Sequence, residues 1–266
     1  MKKYVVLEKP LGQTPLAAIQ KWKGENPEYT DTPASYAGRL DPMASGKLLV
    51  LLGEECKKQK RYTRLDKEYE VEVVLDIGSD TGDALGLVTY SGQETKVDTK
   101  VLARILRAEH GTHERAYPIF SSKTVVGIPL FLHTLRGTIH DIAIPTHPET
   151  IYGIRLSGMH TITTNDLRTR IHTFLGKVPM STEPSKELGA DFRVHEVRTQ
   201  WEKLYKAAGE RTFTILSITV TAGSGAYMRS LAGRLGEALG TKGLALAIHR
   251  TKIGKYRFGM WWKRFG

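Results

Sequence analysis

Between residues 69 and 77 the chain alternates: Tyr69, Val71, Val73, Leu75 and Ile77 fall on one side, and Glu70, Glu72 and Asp76 on the other. A period of two is that of a strand with one buried and one polar face. Residues 212–221 repeat the pattern, with Leu216, Ile218 and Val220 on the apolar side. Half-buried strands need a covering layer, and helical spacing supplies it. Thr14 and Pro15 form an N-cap and first helical position, Leu16, Ile19 and Trp22 follow, and Gly24 is the expected stop. Leu102, Ile105 and Leu106 form a stripe within 101–110, and Met228, Leu231, Leu235 and Leu239 another within 227–239. A short apolar run at 48–52 reads as a buried strand, and 54–65 as a basic helix. Strands and helices intermingle along the whole chain, so the fold class is α+β.

Residues 36–46, Tyr-Ala-Gly-Arg-Leu-Asp-Pro-Met-Ala-Ser-Gly, hold the most informative carboxylate. Proline restricts the residue before it to extended backbone, so Pro42 places Asp41 in a turn. Gly38 and Gly46 flank the segment, and Arg39 stands two residues away. Two readings fit these residues. Asp41 is either a turn aspartate paired with Arg39, or a rigid carboxylate suited to nucleophilic or electrostatic chemistry.

The chain has 39 Lys and Arg against 28 Asp and Glu, a net charge of +11. That balance favours a polyanionic partner, most often nucleic acid. No apolar run approaches the ~20 residues that span a bilayer, and residues 1–8 are too short an apolar stretch for a signal peptide. A globular cytoplasmic protein, monomeric and without membrane attachment, is the expectation. The lone Cys56 leaves no internal disulfide or cysteine-based zinc site. Asp76, Asp80 and Asp83 invite a calcium reading, but their spacing departs from an EF-hand loop, so neither metal nor cofactor is expected. Residues 78–86 read instead as a Gly/Asp turn lining a cleft.

Several blocks follow one another in a particular order. They are Glu8-Lys9-Pro10-Leu11-Gly12, Gly38-Arg39-Leu40-Asp41-Pro42, Lys67-Glu68-Tyr69, Gly78-Ser79-Asp80-Thr81-Gly82-Asp83, Gly225-Ala226-Tyr227-Met228-Arg229 and His249-Arg250-Thr251-Lys252-Ile253-Gly254. In this order the sequence resembles the TruB-type tRNA pseudouridine synthases, from about residue 5 to 258 apart from a stretch near 159–210. The resemblance implies a pseudouridine synthase fold: a central, mostly antiparallel mixed sheet with flanking helices and a catalytic cleft. It also implies isomerisation of uridine in RNA, at position 55 in the T-arm loop of tRNA. Another RNA site, or a silent RNA-binding or RNA-folding module, are the alternatives. By resemblance Asp41 is the catalytic carboxylate, Arg229 its ion-pair partner, and Tyr69 the ring beneath the flipped base. Arg229 stands at a helix start, a poor place for a cation, which calls for a compensating anion. Tyr69 also opens the core face of its strand, and a core tyrosine is the competing reading. Lys9, Tyr36, Arg39, Lys67, Tyr227 and Arg250 are the expected RNA contacts, with Lys9 and Lys67 open to a structural role.

The family pattern Gly-His-Thr-Gly-Thr-Leu-Asp-Pro appears here with Tyr36 for its histidine and Arg39 for its second threonine. Arg-Leu-Asp also occurs in sister families that modify other RNA sites, so the change bears on substrate choice. The block Tyr117-Pro118-Ile119-Phe120-Ser121-Ser122-Lys123 is a degraded form of another family motif. The chain stops soon after Tyr256, leaving no expected room for an appended RNA-binding PUA domain. One catalytic domain over 1–266 is expected, with a helical insertion at 159–210. Asn165 is the expected cap of its first helix, Trp201, Leu204, Tyr205 and Ala208 mark its second, and 179–189 is a link between them. That segment has 8 Lys and Arg against 7 Asp and Glu, so +10 of the net charge lies outside it.

Overall fold

The computed structural model describes residues 2–178 and 193–265, without the side chains of Trp262 and Lys263. In chain order the elements are β1 (Tyr4–Lys9), α1 (Pro15–Glu25), β2 (Ala34–Ala37), β3 (Ala44–Leu52), α2 (Gln59–Thr63), β4 (Asp66–Leu75), β5 (Ile77–Ser79), β6 (Val88–Tyr90), α3 (Thr99–Glu109) and β7 (Gly111–Ala116). Then follow β8 (Thr124–Val125), β9 (Ile128–Pro129), α4 (Leu130–Leu135), β10 (Thr146–Thr163), α5 (Thr164–Leu175), α6 (Val194–Ala208), β11 (Thr212–Ala222), α7 (Met228–Ala238), β12 (Gly243–Arg257) and β13 (Met260–Phe265).

Among the described residues, one nine-stranded sheet runs β1-β3-β12-β4-β11-β10-β7, with β13 beside β12 and β2 beside β3. All its pairings are antiparallel except β12 with β3, so the expected α+β fold with a mostly antiparallel mixed sheet is present. At the parallel junction Gly46 pairs with Arg250. A Cβ at Gly46 would lie 2.4 Å from the Arg250 carbonyl oxygen, and its φ is +102°, so only glycine admits this approach.

Local signals explain much of the element set. Thr14 caps α1, its hydroxyl accepting from the Ala17 N–H at 3.1 Å, with Pro15 at the first turn; the helix runs one residue past Gly24. Asp98 caps α3 by accepting from the N–H groups of Lys100 and Val101. Helix α7 buries Met228, Leu231 and Leu235 on one face as spaced. The expected basic helix at 54–65 is a 3-10 turn over Gly53–Lys58 followed by the short α2.

Other expectations change. The alternating strand ends at Leu75, because Asp76 takes a left-handed φ of 68°. Ile77 therefore starts a separate ribbon of β5 with β6. Asp76 is buried rather than solvent-facing, and Arg211 lies 2.7 Å from it. Residues 159–163, expected in a helical insertion, continue β10 and pair with β11 from Thr212 to Leu216. Thr163, not Asn165, caps α5, its hydroxyl accepting from the Asp166 N–H. Both α5 and α6 contribute to the main core through Leu167, Ile171, Phe174, Val197 and Trp201. The expected link at 179–189 lies outside the described residues.

Candidate active site and family

The β2–β3 loop carries Asp41 into a cleft of about 1140 Å3. Gly38, at φ +86°, turns the chain out of β2, and Asp41 accepts the Ala44 N–H through its carbonyl. Strand β4 presents Tyr69 from the sheet, at the register position opposite Arg250 of β12. The first turn of α7 presents Arg229. These three residues, far apart in sequence, all line the cleft.

Arg229 Nε lies 3.1 Å from Asp41 Oδ2. The arginine is 7% exposed, and every arm of its guanidinium is engaged. Nη1 donates to the Thr81 carbonyl at 2.7 Å and Nη2 to the Phe120 carbonyl at 3.1 Å. Nε also lies 3.5 Å from Asp83 Oδ2. A cation at a helix start did need an anion, and two carboxylates supply it. Burial acts to lower the Arg229 pKa, yet Asp41 and Asp83 together raise it above its ordinary value. The guanidinium stays charged and cannot rotate, so Asp41 meets a fixed fork.

Asp83 is the site residue that sequence reasoning left without a role. It is buried, and its Oδ1 accepts from the Thr81 hydroxyl at 2.8 Å and the Leu85 N–H at 2.9 Å. Burial pushes its pKa up, against the pull of Arg229. The available signal was the pairing of a helix-start arginine with an aspartate-rich Gly turn. Asp76 and Asp80, the other candidates for a shared cation, instead pair separately with Arg211 and Arg193.

Arg39 Nε stands 3.4 Å from Asp41 Oδ1 with its side chain half exposed. Asp41 thus pairs with its neighbour Arg39, as the turn reading expects, and also with the distant Arg229. Tyr36 also lines the cleft. Tyr69 is 9% exposed; its ring belongs to the core cluster and also forms part of the cleft wall. Tyr227, the residue before α7, packs edge-on against Tyr117 and His147, and burial raises its pKa.

Lys9, Lys67 and Arg250 were the expected RNA contacts, with a structural role open for Lys9 and Lys67; Lys67 and Arg250 line the cleft. All three are buried. Lys9 Nζ donates to the carbonyls of Pro10 and Gln13. Lys67 Nζ donates to those of Thr63 and Leu65. Arg250 donates to the carbonyls of Lys47, Arg39 and Gly38 at 2.7, 3.3 and 3.1 Å. Loop carbonyls without a sheet partner need donors, and these cations supply them. Of the three, Arg250 braces the Asp41 loop directly, through the Gly38 and Arg39 carbonyls. Burial lowers the Lys67 pKa to about 7, with Arg250 adding to the effect. Burial lowers that of Lys9 to about 8, opposed by Asp41 and reinforced by Arg250.

Residues 29–176 match the sequence model of the TruB family pseudouridylate synthase N-terminal domain. The chain belongs to the TruB family. The match covers the Asp41 loop, Tyr69 and Asp83, and ends before α7, which carries Arg229. Among its relatives is the tRNA pseudouridine synthase B of Psychrobacter arcticus, 24% identical over 255 residues, or 95% of this chain and 53% of that protein. The enzyme of the same name from Aromatoleum aromaticum is 27% identical over 252 residues, 95% of this chain and 63% of the relative. That from Idiomarina loihiensis is 32% identical over 152 residues, 57% of this chain and 47% of the relative. The chain thus spans about half to under two thirds of the length of these TruB relatives. The crystal structure of a Cbf5-Nop10-Gar1 complex aligns with a TM-score of 0.54 at 16% identity, covering 94% of this chain and 48% of that one, which places the two in one fold. No helix among the described residues is long and apolar enough to cross a membrane.

Proposed function

We infer that this TruB-family chain isomerises uridine to pseudouridine in RNA, with position 55 in the T-arm loop of tRNA as its target. The observation that carries the reading is Asp41, held by the buried Arg229 at 3.1 Å in a cleft that Tyr69 also lines. The reaction breaks the bond from C1′ to N1 of uracil and forms one from C1′ to C5. The hydrogen on C5 leaves as a proton, and N1 ends protonated. Electrons balance without a redox partner, so the chemistry calls for no cofactor.

Each residue has a part in this. Asp41 is the carboxylate at the sugar, either attacking C1′ or removing a sugar proton. Arg229 fixes its rotamer and keeps a positive charge beside it. Tyr69 offers a ring face for a base extracted from its stack, a step that costs a few kcal/mol. The cleft's volume, about 1140 Å3, suits a flipped nucleotide and its neighbours. In this reading the protein acts on tRNA as a monomer in the cytoplasm.

A second reading, a different uridine in tRNA or another RNA, has specific support. Tyr36 and Arg39 both depart from the family pattern, and both line the cleft. Incubating the protein with an unmodified tRNA transcript and mapping pseudouridine by carbodiimide adducts tests the two together. A modification at position 55 supports the first reading, and one elsewhere the second. No pseudouridine in tRNA or in total cellular RNA contradicts both.

A further inference from the structure

Beyond the catalytic cleft, a second groove of about 610 Å3 opens between α2, the middle of β10 and the β12–β13 hairpin. Its volume falls in the usual range of a ligand site, about 300–1,000 Å3. Three exposed cations, Arg64, Lys255 and Arg257, line it, and none of them makes an ion pair among the described residues. Three aromatic rings line it as well. Tyr152 and Tyr256 lie 5.6 Å apart, and Phe258 stands at the hairpin tip. The acidic residue of the groove, Asp66, is already engaged by the Tyr256 N–H at 2.8 Å and by the Tyr152 hydroxyl.

Phe258 is the most telling of these. The residue is 88% exposed, and its backbone φ is +50°, a region that bulky residues rarely adopt. With Gly259 at φ +76° it forms the two-residue turn joining Arg257 to Met260. Neither the exposed ring nor the strained backbone helps the fold, so the fold does not explain a phenylalanine there.

The groove adjoins the catalytic cleft. Thr63 and Ser224 line the cleft, and the Ser224 hydroxyl donates to the Thr63 carbonyl at 2.7 Å. Arg64 and Thr150 line the groove, and the Gly223 N–H donates to the Thr150 carbonyl at 2.8 Å. A chain leaving the cleft over this seam enters the groove directly.

We propose that this groove is a second RNA subsite, taking nucleotides that flank the target uridine, with bases stacked on Phe258 and Tyr152 and phosphates held by Arg64, Lys255 and Arg257. Unpaired cations beside open rings are what a single-stranded nucleic-acid path requires. The subsite rests on the proposed function, because its RNA is the one whose uridine enters the cleft.

The test is binding of a fluorescein-labelled tRNA transcript, followed by anisotropy at several salt concentrations. Phe258→Asn removes the ring and relieves the backbone, since asparagine accepts a left-handed φ. It is expected to weaken binding by about fivefold or more, the loss of one stacked base. Lys255→Ala with Arg257→Ala is expected to flatten the log–log salt slope by roughly 0.7–0.9 for each phosphate released. Thermal melting at or above the parent's for Phe258→Asn excludes misfolding. Unchanged affinity in Phe258→Asn together with an unchanged slope in the double variant overturns the subsite. Those results leave pseudouridine formation by the parent untouched, whereas a parent that binds through the groove but makes no pseudouridine overturns the proposed function alone.

Discussion

Asp83 and Asp41 flank a single atom: Arg229 Nε stands 3.5 Å from Asp83 Oδ2 and 3.1 Å from Asp41 Oδ2. Asp83 is buried at the back of the cleft, while the Asp41 side chain is a third exposed to it. The rear carboxylate thus fixes the arginine, and the arginine fixes the carboxylate that faces the cleft. The turn that delivers Asp83 is tight. A Cβ at Gly82 would come within 2.9 Å of the Arg229 carbonyl.

Asp83→Asn keeps the shape and the acceptor for the Leu85 N–H but removes one anion from Arg229. A misplacement near 1 Å can cost about 100-fold in rate. The expected outcome is a fall in kcat of that order at saturating RNA, with KM and melting temperature near those of the parent. Single-turnover pseudouridine formation checks it, and an unchanged kcat would remove Asp83 from the network.

Lys67 titrates near neutrality inside the fold, and the sign of its effect follows. Its pKa is lowered from 10.5 to about 7 by burial, so the unfolded chain binds more protons between those values. The stability it contributes is present above pH 10.5 and lost as pH falls towards 7, by about 1.4 kcal/mol per pH unit. Lys9 adds a smaller effect of the same sign above about pH 8. Urea unfolding of the parent should show greater stability at pH 9 than at pH 7, relative to Lys67→Met. Equal pH slopes in the two proteins would contradict a buried Lys67.

Trp201 is fully buried, and its Nε1–H donates to the Ala84 carbonyl at 3.1 Å, one residue from Asp83. Helix α6 is therefore part of the body that carries the site. Trp201→Ala should cost about 3–5 kcal/mol. Replacing 159–210 by a short turn should leave no soluble protein, because it removes part of β10 and the packing of α5 and α6. A loss below about 1 kcal/mol for Trp201→Ala would mean that α6 docks loosely.

Asp41, Tyr69 and Arg229 were legible because each sits in a short block with its own residue pattern, and the structure brings all three to one cleft. The Thr14–Pro15 start of α1 and the apolar stripe of α7 were legible for local reasons, a cap and a helical period. Strands β10 and β12 were not. They lie inside the sheet with neighbours on both sides, and their glycines and threonines give no period of two. Lys9, Lys67 and Arg250 were read as RNA contacts from their places in the matched blocks, with Lys9 and Lys67 also open to a structural role. Lys9 and Lys67 donate to carbonyls within four residues of themselves, whereas the Arg250 contacts are tertiary, set by how closely β12 passes beneath the glycine-flanked loop. Asp83 stayed hidden for the same reason, since its partner lies 146 residues further along the chain.

The central claim is that the Asp41 carboxylate performs the isomerisation. Forming the bond from C1′ to C5 expels the C5 hydrogen, so RNA carrying [5-3H]uridine reports turnover as tritium released to water. Asp41→Asn keeps size and turn preference while removing the charge. The account predicts undetectable tritium release from this variant, with RNA affinity within a few-fold of the parent. Release at the parent rate would make Asp41 a turn residue and contradict the mechanism.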